Sequence, residues 1–251
     1  MAKQMGIIKL KGTIGDITFY KSQDGYLARE KGGVDGDRIA TDAAFERTRE
    51  NGAEFGRAGK AAKLLRVAIQ GLLQNVSDSR LASRLTTEMV KVVKADATSD
   101  RGQRNVLDGE LELLQGFEFN INGKLTTALY APYDATITRA TGQCTVAVPP
   151  FIPANMIAAP VGATHFKITS GAAEVDFEAG KYVVQTQQTA MLPLDNMPTA
   201  AISLESTLTP ASTHPLFQVL GIEFLQSVNG EFYPLKNGAF NALALIKVEG
   251  V

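Results

Sequence analysis

The chain has 251 residues, of which 45% are apolar and 20% charged, and its formal net charge is −1. Such a chain can bury a sizeable core, so disorder is excluded, and the near-neutral balance argues against a dedicated nucleic-acid binder. Charge is unevenly placed: residues 1–104 hold 19 of the 25 Lys+Arg and 13 of the 26 Asp+Glu, net +6, and residues 105–251 are net −7.

The opening stretch, GIIKLKGTIGDITFYKSQDGYLAREKGG, reads as short strands joined by glycine turns. Ile17, Phe19, Tyr26 and Leu27 supply strand formers, and Asp24-Gly25 is a hairpin signal. A two-stranded hairpin is marginal alone and needs another element or another chain. GGVDGD then reads as a loop; it lacks the lysine of a phosphate loop and the ligand spacing of a calcium loop.

Thr41 or Asp42 can cap the first helix, whose apolar stripe runs Phe45, Phe55, Ala58, Ala62, Leu65, Ile69. Gly52, Gly56 and Gly59 interrupt it, each weakening the helix by about 1 kcal/mol against alanine. Their small size suits close approach of another backbone, with Gly56, Gly59 and Ala62 as the crossing point. After a turn at QNVS, a second helix starts from Ser77 or Asp78. Leu81, Leu85, Met89 and Val92 or Val93 form its stripe, which gives an antiparallel pair. A short helical or irregular segment covers about 103–116, with Leu107, Leu111 and Leu114 on one face.

Alternation takes over from Phe117. FEFNING places Phe117, Phe119 and Ile121 on one face, and ATITRATG, CTVAVP, HFKITSG, AEVDFEAG and KYVVQTQQ keep the rhythm. A hairpin turns at Asn229-Gly230, and FNALALIKVEGV is a closing strand. Eight to ten strands in this stretch predict an antiparallel sandwich. The fold class is therefore α+β, an N-terminal β-hairpin and antiparallel helix pair followed by an antiparallel β-sandwich. The domain division expected is 1–116 and 117–251.

No catalytic constellation stands out, so no enzyme activity, cofactor or metal is expected. His165 and His214 have no spaced metal-binding companion. Glu174, Asp176 and Glu178 alternate, which turns the acids to water while Val175 and Phe177 point inward. Cys144 is alone in an apolar run and reads as a buried structural thiol, with no intramolecular disulfide. Arg47, Arg49, Arg57, Lys60, Lys63 and Arg66, with Arg80, Arg84, Lys91 and Lys94, form a basic helical surface. Interleaved Glu46, Glu50, Glu54 and Glu88 favour ion pairing over nucleic acid there. Carbohydrate stays open as a partner through Tyr130 and Tyr133, although the chain has no tryptophan. No stretch approaches 18 apolar residues, so no membrane insertion is expected. Lysines interrupt the apolar residues near the start, so the expectation is synthesis in the cytoplasm without a signal peptide, with the final location open to a released or virion-like assembly.

The segments GIIKLKGTIGDITFYKSQDGYLAREKGG, RTRENGAEFGRAGKAAKLLR and GIEFLQSVNGEFYPLKNGAFNALALIKV together resemble a family of uncharacterised Bacteroidota proteins. These have a glycine-bounded N-terminal hairpin, a basic helical segment and a strand-rich C-terminal region. The resemblance implies that architecture over most of the chain and adds a link to phage-like or secreted assemblies, with no reaction. The expected function is a non-enzymatic structural protein that self-associates into a filament, ring or phage-like particle. Ile14, Ile17, Phe19, Tyr20, Tyr26, Leu27, Gly56 and Gly59 are the self-association candidates, other copies of the chain the expected partners, and a monomeric surface or carbohydrate-binding module the alternative.

Overall fold

The computed structural model describes residues 2–30, 32–76 and 78–250. Strands β1 (Ala2–Lys3), β2 (Gly12–Ile14), β3 (Ile17–Ser22) and β4 (Gly25–Glu30) form one antiparallel sheet in the order β1-β4-β3-β2. The β3–β4 hairpin closes with Ser22 opposite Gly25, so Gln23 and Asp24 occupy the turn. Gly25 has φ 106°, a conformation open to glycine at little cost. GGVDGD is not wholly a loop: Asp35 Oδ1 accepts from the Asp37 N–H and starts helix α1 (Gly36–Thr41). Asp42 then caps a 3-10 turn (Ala43–Phe45) through the Ala44 N–H, as its side chain equips it to do.

Helices α2 (Glu46–Ala68), α3 (Gln70–Leu73) and α4 (Leu81–Ala95) follow. Ser77, one of the two expected caps of α4, lies outside the described residues. Asp78 accepts the Arg80 N–H at 2.7 Å and pairs with Arg84. The α4 stripe holds as the spacing predicts, with Leu81, Leu85, Met89, Val92 and Val93 all buried. On α2 the buried face is Ala58, Ala61, Ala62, Leu65 and Ala68. Phe55, expected in the stripe, is exposed, and the buried side chain one position earlier is Glu54, which accepts the Gly102 N–H at 2.8 Å.

The strand region holds β5 (Asp134–Thr138), β6 (Gln143–Val148), β7 (His165–Asp176), β8 (Lys181–Gln188), β9 (Leu192–Pro193), β10 (Ile202–Thr207), β11 (Leu216–Val228), β12 (Glu231–Pro234) and β13 (Ala242–Glu249). Short helices α5 (Leu125–Ala128) and α6 (Pro153–Met156) lie in the connections. Strands β10-β6-β5 make a small antiparallel sheet. The larger sheet runs β12-β11-β7-β8, with β13 also on β11 and β9 also on β7. HFKITSG and AEVDFEAG, two rhythmic segments in the sequence, contribute one continuous strand, β7. FEFNING is not a full strand: Phe119 N–H donates to the Leu243 carbonyl beside β13, and Ile121 is exposed.

The larger sheet is covered on both faces. Ala173 and Val175 of β7, Phe217 and Val219 of β11, and Leu243 and Leu245 of β13 join the core made by α2 and α4. Phe166 and Ile168, Leu220, Ile222 and Phe224, and Ala242, Ala244 and Ile246 point the other way, into a core shared with Val146, Val148 and Leu204 of the small sheet. The result is three layers: helices, large sheet, small sheet. A one-residue register shift between Gln218 and Val219 opposite β13 returns Val248 to the helix side. The α+β class is thus established, with a β-rich, sandwich-like C-terminal region.

By contacts, the chain forms two compact units, residues 1–49 and 50–251. Within the second, the core joins helices to strands on both sides of position 116.

Candidate functional site

The residues singled out for self-association fall in two places. In the N-terminal sheet, Leu27 is buried, Phe19, Tyr20 and Tyr26 are half-buried, and Ile14 and Ile17 are exposed. Ile14 of β2 lies directly opposite Ile17 of β3, so two exposed isoleucines form one cross-strand apolar pair. Cations cover the aromatics: Arg29 stands 5.5 Å from the Tyr20 ring and Lys21 5.6 Å from the Tyr26 ring. The connection between β1 and β2 adds a second apolar group. Gln4 fixes its ends, its Nε2 donating to the Leu10 and Leu27 carbonyls while its Oε1 accepts the Leu10 N–H at 2.8 Å. Between these anchors Met5 is 88%, Ile7 101% and Ile8 80% exposed. In the sequence these residues form an apolar run broken by lysines, a pattern that marks them only once their exposure is known.

Gly56 and Gly59 belong to α2. Among the described residues, a Cβ at either would meet no atom within 4 Å, so no described backbone crosses there. Of the expected crossing point, Ala62 is buried in the core as read, whereas Gly56 and Gly59 are corrected: α2 packs through Ala58, Ala61 and Ala62.

Much of the basic helical surface is engaged in holding the fold. Arg49 donates to the Ile39 and Asp42 carbonyls, Arg57 to the Gly102 and Arg104 carbonyls, and Arg84 to Asp78 and the Glu118 carbonyl. Lys91 pairs with Glu88.

The acidic series on β7 divides by environment. Glu174 is buried, contrary to the water-facing expectation; its carboxylate accepts the Ser212 Oγ–H at 2.7 Å and the Thr209 N–H at 3.3 Å. Burial raises its pKa, but those donors and His214 outweigh burial and leave it below the usual carboxylate range. Asp176 Oδ1 accepts the Glu178 and Ala179 N–H groups of the β7–β8 turn, and His214 Nε2 lies 4.0 Å from Asp176 Oδ2. These are contacts that build a turn and a buried anchor. Among the described residues no group of three or more His, Cys, Asp or Glu side chains is placed to hold a metal. Cys144 is buried, as its apolar run predicts, and burial pushes its thiol up to about 11, with the Glu249 charge adding to the effect. No described helix is long and apolar enough to cross a membrane.

A cleft of about 800 Å3 opens between α2, residues 105–108 and the β7–β8 turn. None of the eight self-association candidates lines it, whereas Arg57, Lys60 and Lys63 do.

No family model, curated protein or solved structure matches this chain.

Proposed function

We propose that this chain is a non-enzymatic structural protein that assembles with copies of itself through its N-terminal sheet. One observation carries the reading: four strands over residues 2–30 contain a single buried apolar side chain, Leu27, while Met5, Ile7, Ile8, Leu10, Ile14 and Ile17 are exposed. A sheet of this size needs an apolar face packed on something to be stable. Grouped exposed apolar side chains are the usual mark of an interaction surface.

The sheet's edges say how such a contact would form. Its outer strands β1 and β2 have two and three residues, too short to template a long ladder. Burial of the Ile14–Ile17 pair and the Met5–Leu10 segment against a neighbour fits better than exchange of strand edges. A heterologous contact of this kind closes into a ring or continues as a filament, depending on the rotation between copies. The family resemblance, with its phage-like and secreted assemblies, points the same way.

The test is sedimentation velocity of the full chain over a wide concentration range, beside Ile7→Asp/Ile8→Asp and Ile14→Asp/Ile17→Asp double variants. Association that grows with concentration, and that both variants lose while their circular dichroism is kept, supports the proposal. A particle that stays single at every concentration overturns it and favours the monomeric surface or carbohydrate-binding module.

A further inference from the structure

We propose that the cleft between α2 and the β7–β8 turn binds a small amphipathic anion: an alkyl or aryl body carrying one carboxylate or sulfonate head. The cleft's volume of about 800 Å3 is that of a small-molecule site. Its lining is mainly apolar, with Leu64 and Val67 from α2, Leu107 from the loop, and Phe177 and Tyr182 from the β7–β8 hairpin. The core of the second unit takes Ala58, Ala61, Ala62 and Leu65 of α2 and reaches the cleft at Ala61 and Val106, with Leu64 and Phe177 packed against it there. Leu64 and Val67, both half-buried, extend this apolar surface along the cleft.

Charge decides the class of ligand. Arg57, Lys60 and Lys63 recur every three residues on the α2 wall. Arg57 is fixed in place by the Gly102 and Arg104 carbonyls. The Lys60 and Lys63 ammonium groups enter no ion pair or hydrogen bond among the described residues, and their long stems can follow a bound head. The two carboxylates of the cleft belong to the other walls. Asp108 already accepts from Asn105 Nδ2 at 2.6 Å, and Glu178 lies in the β7–β8 turn. Cations on one wall and carboxylates on the others orient a ligand, drawing an anionic head to α2 and leaving the apolar body on Phe177 and Tyr182. The wall at 105–108 is set before any ligand arrives: Asp96 Oδ2 accepts the Asn105 N–H, and Asn105 Oδ1 accepts the Leu107 and Asp108 N–H groups.

The site uses none of the N-terminal residues on which the assembly reading rests, so each stands or falls separately. The experiment is calorimetric titration of the full chain with sodium dodecanoate and with dodecyltrimethylammonium, both below their micellar concentrations, with circular dichroism to confirm that the fold persists. Dodecanoate is expected to bind one to one and at least about tenfold more tightly than the ammonium. Lys60→Glu/Lys63→Glu should weaken dodecanoate about tenfold or more without altering thermal unfolding. Val67→Trp, which fills the cleft, should abolish binding. Equal or tighter binding of the ammonium overturns the proposal. So does dodecanoate binding that survives either variant, or no binding up to about 1 mM.

Discussion

Gly109 rests on the backbone of α4 at Val92: a Cβ on Gly109 would overlap the Val92 carbonyl oxygen and lie 3.2 Å from the Asn105 carbonyl oxygen. Neither obstacle is a side chain that could turn aside. This contact holds the segment carrying Asn105, Leu107 and Asp108 against the helix layer. Gly109→Ala should therefore cost about 2 kcal/mol in urea unfolding, the scale of overpacking at a closed site. The same substitution at Gly56, where a Cβ meets nothing, should leave stability unchanged or raise it by up to about 1 kcal/mol.

Asp96 organises the start of the same segment. Burial raises its pKa, but the N–H groups of Ser99, Asn105 and Thr98 together outweigh burial and hold the carboxyl far below the ordinary range. The folded state thus favours the charged form. The resulting stability is complete above the ordinary carboxylate value of 3.8 and is lost as pH falls below it toward the folded value. Asp78 and Glu174 are shifted in the same direction and add to the acid sensitivity. Asp96→Asn should be about 2 kcal/mol less stable than the parent near neutral pH. Urea titrations at successively lower pH should show that gap closing below about pH 4.

Cys144 faces Ala172, Leu208 and Leu216 in a small apolar cluster, with its thiol displaced upward to about 11. The nucleophile is the thiolate, so both ionisation and access oppose reaction. Ellman's reagent at mildly alkaline pH should find no reactive thiol in the folded chain and one per chain in guanidinium.

Gln218 is fully buried in β11, and neither its Oε1 nor its Nε2 finds a hydrogen-bond partner among the described residues. An unpartnered buried amide costs more than an apolar side chain of similar volume. Gln218→Leu should raise the midpoint of denaturant unfolding by the equivalent of about 1 kcal/mol or more. A lowered midpoint would show that the amide supports the fold.

The sequence made the local features plain and the layering obscure. Asn229 and Gly230 take positive φ, 54° and 85°, as a tight hairpin turn requires, and their dipeptide announces it. The α4 stripe was equally readable, because one helix face meets one core. Glu174 was misread because alternation on β7 supposes one wet face, whereas the small sheet covers that face and Ser212 meets the carboxylate from 38 residues away. The run of buried residues along β11 has the same origin: a strand covered on both sides keeps no polar rhythm. Of the cleft, only the spacing of Arg57, Lys60 and Lys63 was visible. Its remaining walls come from a loop and a hairpin brought to α2 by the fold.

The central strands β7 and β11 answer to two neighbours at once. A change of volume at Ala173 is felt by the helices, and one at Ala172, the next residue, is felt beneath the small sheet. Backbone amides in the middle of these strands should be the last in the chain to exchange with deuterated solvent. Natural variation in such a molecule should gather in its turns and on its outer helix surfaces, because there a new side chain has one set of contacts to satisfy.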